Sequence, residues 1–371
     1  MPGELTGPIA VYGATGYTGR LVAAELVRRG VGAVLVGRSA PKLEIVAEDL
    51  GGGAETRVGE LDDAAALRHA LEPCAVVISC AGPFEECGEP VVRAAIDART
   101  HYLDTTGEQR FMRRVFDEFG AEAKRAGVAL VPAMGFDYAP GDMLAALTAE
   151  SMEPLDELAV AYGVSGFGAS RGTLRSVLAV LSGGDVEWRD GELRPGPRRR
   201  GAGSFDFGEP LGRQPMIRMP AGEHLTVPRH VQTHRVRTLL TTATVMPFAR
   251  LLAPAAPLLM PPLQLLVRTP ARRAIELALG RLPEGPSAED RRQARFEVAC
   301  VASAPDRARR GALSGTDVYG LTARATAAGA VRCAAPEFDR SGALAPSQAF
   351  DPREFLSALG LAPELGPEPS A

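Results

Sequence analysis

The chain has 371 residues, enough for about two domains of ordinary size, with 46% hydrophobic and 23% charged residues and a formal net charge of -4. That composition belongs to a folded globular protein, and its slight acidity argues against a nucleic-acid partner, which would need a basic face. The five cysteines (Cys74, Cys80, Cys87, Cys300 and Cys333) are odd in number and form no C-x-x-C pair, so a disulfide framework or zinc site is not expected. Reduced thiols and a cytoplasmic location follow as expectations, and no basic leader precedes the first apolar run.

In chain order, Ile9 to Tyr12 is a short apolar run that stops at a glycine. A helix is predicted over Thr18 to Arg29, with Val22 and Leu26 one turn apart, and a strand over Ala33 to Val36. Leu43, Val46, Ala47 and Leu50 carry the spacing of an amphipathic helix. Thr56 to Val58 reads as a weaker strand, and Asp62 or Asp63 can cap a helix bearing Leu67 and Leu71. Ala75 to Cys80 is a buried strand, Val91 to Ile96 marks a helix, and Met112 to Ala123 marks a longer one. Val128 to Val131 closes the series. Such alternation with short connections predicts an α/β fold with a doubly wound parallel sheet of the Rossmann type.

From about Leu155 the pattern becomes mixed, and an inserted α+β domain is expected there. Arg189 to Arg213, rich in Gly, Pro and Arg, reads as an exposed loop or hairpin, and Leu225 to Leu240 as mainly strand. Leu251 to Val267 is apolar and uncharged, between Arg250 and Arg268. It falls short of the roughly 20 residues of a spanning helix and is interrupted by Pro254, Pro257, Pro261 and Pro262. A buried wall of the substrate domain is the expected role, with peripheral membrane contact as the alternative.

The first turn carries Gly13-Ala14-Thr15-Gly16-Tyr17-Thr18-Gly19. Gly13 suits the tight turn out of the strand, Gly16 lets backbone approach a pyrophosphate, and Gly19 lets helix and sheet pack closely. Thr15, Tyr17 and Thr18 belong to the same cradle, whose N–H groups and helix N-terminus hold an anion. After the second strand stands Gly37-Arg38, where an NAD enzyme often has an acid. Arg38, with Lys42 further on, suits a 2′-phosphate, so NADP(H) is the expected cofactor. Cys80, Ala81, Gly82, Pro83 and Phe84 follow the fourth strand, where such a chain passes the nicotinamide ribose, and Cys80 reads as a small hydrophobe.

Together with His101-Tyr102-Leu103-Asp104-Thr105-Thr106-Gly107-Glu108 and Gly135-Phe136-Asp137-Tyr138-Ala139-Pro140-Gly141-Asp142, these motifs resemble those of the saccharopine dehydrogenase-like reductases. The branch they are most similar to is that of the bacterial trans-acting enoyl reductases. Gly172 to Ser176, Ser314 to Tyr319 and Gly342 to Pro346 extend the likeness over most of the chain. The resemblance implies hydride transfer with NADP(H) to a C=C or C=N bond. It also implies a partition into a Rossmann domain over 1–145, an α+β substrate or dimerisation domain over 146–312, and a segment over 313–371 returning to the Rossmann domain. Tyr138 departs from the pattern, which has serine there.

Gly135 and Phe136 are assigned to the cofactor pocket because strand C-termini in open α/β sheets face the ligand crevice. Asp137 and Tyr138 are catalytic candidates for the same reason, and His230 is a third. Asp104 and Glu108 fit either the cofactor pocket or a purely local role in holding their loop. His230 and His234 are spaced i, i+4 but lack the H-E-x-x-H pattern, so no metal is expected. No tyrosine has lysine four positions later, which argues against the short-chain dehydrogenase relay, and no G-x-S-x-G elbow occurs. Three functions stay open: reduction of an apolar or polyketide-like enoyl group, small or carrier-bound; reduction of an imine or amino acid, with Arg171 or Arg229 pairing carboxylates; and NADP(H) sensing without turnover. A homodimer is a further expectation.

Overall fold

The computed structural model describes residues 5–181, 185–196, 201–209, 211–245, 275 and 277–367. It divides into two compact units, one of residues 1–139 and 319–351, the other of 140–318 and 352–371.

In the first unit β1 (Ile9–Tyr12), β2 (Ala33–Gly37), β3 (Glu55–Val58), β4 (Val76–Ser79), β5 (His101–Asp104) and β6 (Ala129–Val131) alternate with helices. The helices between them are α1 (Tyr17–Arg28), α2 (Ala40–Asp49), α3 (Ala64–Leu71) and α4 (Phe84–Asp97), then α5 (Gln109–Arg114) and α6 (Gly120–Ala126), joined by a π-turn over Val115–Phe119. The strands pair in parallel in the order β6-β5-β4-β1-β2-β3, with the two-residue strand Gly342–Ala343 beside β6. β1 and β4 are buried along their whole lengths, because helices cover both faces of a doubly wound sheet. Leu67, Leu71, Val91, Val92 and Phe111 lie in a core cluster with Tyr12, Val77 and Tyr102. Asp63 caps α3 by accepting the Ala66 N–H at 2.9 Å. Strand order turns back at β1, so the crevice for a ligand lies beyond the C-terminal ends of β1 and β4.

The second unit begins in α7 (Ala139–Ala149) and contains β7 (Glu157–Ser165), the hairpin of β8 (Val186–Arg189) and β9 (Glu192–Pro195), and then β10 (Gly201–Asp206), β11 (Arg213–Arg218) and β12 (Val236–Thr241). β13 (Arg295–Ala304) and β14 (Arg307–Thr316) form a long hairpin. One mixed sheet runs β10-β11-β12-β7-β13-β14, with only β12 and β7 parallel, and Glu364–Pro367 adds the last strand against β14.

Two expectations change here. The terminal segment does not stay with the Rossmann unit throughout, since residues 352–371 belong to the mixed-sheet unit. The stretch around His230 and His234 is not a strand: Glu223–Thr226 is a helical turn, Val227–Arg229 a 3-10 turn, and only Val236–Thr241 is extended. Pro228 lacks an N–H for a sheet ladder and suits the first positions of the short 3-10 turn. The apolar run 251–267 lies outside the described residues, and among these no helix is long and apolar enough to cross a membrane.

Candidate active site

The glycine loop joins β1 to α1. Gly13 has φ +78, a left-handed conformation that L side chains rarely adopt, and a Cβ there would stand 3.0 Å from the Cβ of Ala81. The turns after β1 and β4 therefore touch at the switch point. A Cβ at Gly19 would come 2.2 Å from the Gly13 carbonyl oxygen, so helix and loop meet only because no side chain is present. Gly16 is the N-cap of α1 and offers no side chain to cap it. Neither the Thr18 nor the Gly19 N–H meets an acceptor among the described residues, as expected of a first helical turn that binds an anion. The Arg20 guanidinium donates to the Thr15 carbonyl at 3.1 Å, and the ring of Tyr17 meets that of Tyr319 edge-on, 5.1 Å between centroids.

Arg38 follows β2 and is exposed, as is Lys42 in the first turn of α2. Neither makes a hydrogen bond or ion pair among the described residues. The charge of Arg38 is felt by Tyr12 and Cys87. This exposed cation beside a bare glycine cradle fits a dinucleotide with an extra phosphate. Residues 9–131 match the family model described as "Saccharopine dehydrogenase NADP binding domain". This part of the chain is a saccharopine dehydrogenase-type NADP-binding domain.

The chain is also similar to curated mycobacterial proteins. A Mycobacterium tuberculosis protein named, provisionally, as a trans-acting enoyl reductase is 38% identical over 186 residues, which is 47% of this chain and 44% of the relative. The trans-acting enoyl reductase of Mycobacterium ulcerans is 35% identical over 140 residues, 36% of this chain and 34% of the relative. The alignments thus span less than half of each relative. In fold, the apo saccharopine dehydrogenase (L-Glu forming) of Saccharomyces cerevisiae superposes with a TM-score of 0.58 at 15% identity, over 97% of this chain and 100% of that one.

The other half of the NADP-binding domain holds the acidic candidates. The sheet carries β5 and β6 on the side of β1 opposite to β2 and Arg38, which is the nicotinamide side of such a crevice. Burial pushes the Cys80 thiol up to about 12, so it stays protonated and is no thiolate nucleophile. Ala81 and Pro83 are half-buried, Gly82 is exposed, and Phe84 opens α4 from a buried position. The buried carboxylate of Glu108 caps that helix, accepting the Phe84 N–H at 3.0 Å and the Glu85 N–H at 2.9 Å. Glu108 therefore has a local holding role.

Asp104, fully buried at the end of β5, accepts from the Thr106 N–H at 2.9 Å, the Ala133 N–H at 2.8 Å and the Tyr102 hydroxyl at 2.8 Å. Burial raises its pKa to about 6 although these donors act in the opposite sense. Ala133 has φ +62, a left-handed conformation that costs an alanine about 1–2 kcal/mol. From it runs the loop that carries Gly135, Phe136, Asp137 and Tyr138. Phe136 is buried, and its N–H donates to the Thr322 hydroxyl at 3.0 Å. The buried Tyr138 donates its hydroxyl to the Gly107 carbonyl at 2.8 Å.

Asp137 differs from all of these. Its side chain reaches solvent and makes no hydrogen bond or ion pair among the described residues. The surrounding protein is nevertheless dense enough that burial raises its pKa to about 6. A Cβ at Gly107 would stand 3.8 Å from both its Oδ2 and the Tyr138 hydroxyl. The geometry thus gathers Gly107, Asp137 and Tyr138, and commits the tyrosine proton to a carbonyl.

His230 belongs to the second unit. Its Nε2 is 2.8 Å from Oδ1 of the fully buried Asp142, and its Nδ1 is enclosed without a hydrogen-bond partner among the described residues. Burial alone would lower its pKa, but the charge and hydrogen bond of Asp142 outweigh that and raise it. With Trp188 and His234 it lines an open depression of about 520 Å³. His224 of the same unit is buried: its Nδ1 accepts the Trp188 N–H at 3.1 Å, so Nε2 carries the proton and faces the Thr238 hydroxyl at 3.0 Å. Burial lowers its pKa to about 4 and keeps it neutral. Among the described residues no group of three His, Cys, Asp or Glu side chains suits a metal ion.

Sequence reasoning missed Thr322, which is 186 positions from the amide it holds, and Tyr319, which was quoted in a motif without a role. No local pattern points to the first. The second was available as an aromatic residue opening a helix.

Proposed function

We propose that this protein is an NADPH-dependent reductase of a C=C bond conjugated to a carbonyl, on an apolar or polyketide-like substrate that is small or carrier-bound. The observation that carries this reading is Asp137: an exposed carboxylate without a hydrogen-bond partner among the described residues, its pKa raised to about 6, on the nicotinamide side of an NADP-binding domain. The names of the mycobacterial relatives supply the bond type.

NADPH, when bound, supplies the hydride. The Thr18 and Gly19 N–H groups at the start of α1 hold its pyrophosphate, in a loop whose Gly16 N–H is tied to the Gly13 carbonyl, and Arg38, helped by Lys42, pairs with its 2′-phosphate. Ala81, Gly82 and Pro83 leave room for the nicotinamide ribose beside them. Reduction of a conjugated C=C bond leaves negative charge on the substrate's carbonyl and α-carbon. Protonated Asp137 delivers a proton to that carbon, and its raised pKa keeps part of it protonated near neutral pH. Tyr138, whose hydroxyl is held by Gly107, fixes the wall beside it. His230, tied to Asp142, orders the second unit's loop over 228–234 rather than exchanging protons with substrate.

A second reading uses the same atom. Ionised, Asp137 would pair with a cationic imine and favour C=N reduction. The two separate by supplying NADPH deuterated at the transferable position with a set of enoyl thioesters and a set of cyclic imines. Deuterium at the β-carbon of an enoyl thioester supports the first reading. Label only in amines supports the second.

A further inference from the structure

The loop that carries Asp137 starts from a conformation its own sequence disfavours. Ala133 sits at φ +62, and strained non-glycine residues persist only where surrounding contacts over-determine them. Here the determining contacts come from one residue, through its side chain and its carbonyl. Asp104 takes the Ala133 N–H on Oδ1, while its own carbonyl accepts the Met134 N–H at 2.8 Å. The same Oδ1 accepts the Thr106 N–H, one residue before Gly107, whose carbonyl holds Tyr138. Oδ2 takes the Tyr102 hydroxyl, which fixes the carboxylate in its plane. Asp104 is fully buried, so it reaches no solvent-borne substrate itself. It joins the β5 loop to the β6 loop from below.

We propose that Asp104 is a positioning residue: its carboxylate holds the strained turn at Ala133 against the Thr106 loop and so sets where Asp137 and Tyr138 stand. This rests on the reading of Asp137 as the proton source. The holding is geometric, and the three contacts say how to show it. An asparagine at this position can place Oδ1 on the two amides and turn Nδ2 toward the Tyr102 oxygen. It keeps three contacts and loses only the charge and the titration. An alanine keeps none.

The test compares the full chain with Asp104→Asn and Asp104→Ala, reading NADPH affinity, amide hydrogen exchange across 130–138, and kcat and KM with an enoyl thioester that the protein turns over. In Asp104→Ala, exchange at Ala133, whose N–H loses its acceptor, is expected to rise and kcat to fall roughly 100-fold through misplacement of the proton source, with NADPH affinity unchanged. In Asp104→Asn both are expected to stay near those of the parent protein. Unchanged exchange and kcat in Asp104→Ala would overturn the proposal. So would an Asp104→Asn variant that binds NADPH normally but loses the rate, because a charge or a proton would then be the contribution. If Asp104→Ala does not fold, Asp104→Asn decides alone by the same criterion. Asp137→Asn serves as the separate arm: full activity there ends the reading of Asp137, while the exchange data still judge Asp104.

Discussion

Two loops leave the same edge of the same parallel sheet and are built in opposite ways. The loop over Gly13–Gly19 is stripped of side chains where it matters, with no side-chain cap on α1 and two first-turn N–H groups that meet no acceptor among the described residues. The loop over Ala133–Tyr138 is pinned from outside by Asp104 on Ala133 and Thr322 on Phe136, and by its own Tyr138 reaching back to Gly107. The difference follows from the ligand each loop serves. A diphosphate brings its own charge and acceptors, so the protein needs only to leave donors exposed and stay out of the way. A proton donor must stand at one place, so its backbone is held on several sides and a single side chain is left uncommitted.

The largest effect is expected from filling the bare loop. Gly19→Ala puts a methyl group 2.2 Å from the Gly13 oxygen, and the displaced loop should bind NADPH at least about 100-fold more weakly, since two charge-assisted bonds are lost. Fluorescence titration reads it, and unchanged affinity would break the contrast at its first term. Next is Asp137→Asn, expected to lower kcat roughly 100-fold or more with NADPH affinity intact, by steady-state kinetics beside a binding titration. Arg38→Asp should weaken NADPH about 30-fold while leaving NADH almost untouched, which calorimetry with both cofactors would show. Equal losses for the two would remove Arg38 from the 2′-phosphate. The smallest effect is that of Thr322→Val, which leaves the buried Phe136 N–H without its acceptor and should cost about 1 kcal/mol of stability in a denaturant melt.

The bare loop was legible in the sequence because its chemistry is local. Three glycines at fixed spacing after an apolar run specify strand, turn and helix within a dozen positions, and Arg38 follows at the next strand end. The sheet was legible for the same reason, since β1 and β4 are short apolar runs bounded by turns. The pinned loop was only half legible. Asp137 and Tyr138 stand in a motif, but what holds them comes from 29 positions away in Asp104 and 186 positions away in Thr322. Hydrogen bonds between distant segments leave no period to read. In the second unit, Leu225 to Leu240 looked extended because its apolar residues are β-branched or flank polar ones. The chain instead turns at Pro228, and His230 pairs with Asp142, 88 positions away.

The division of labour between the two loops is tested most directly by the pH dependence of kcat/KM for an enoyl thioester, in the parent protein and in Asp137→Asn. Asp137 carries a pKa of about 6 and acts in its protonated form, so kcat/KM should be highest below that value and fall about tenfold per pH unit above it. Asp104 titrates in the same range, and the variant separates the two. The account predicts that Asp137→Asn is slower and loses this fall. The same fall at the same pH in Asp137→Asn would contradict it and place the proton elsewhere.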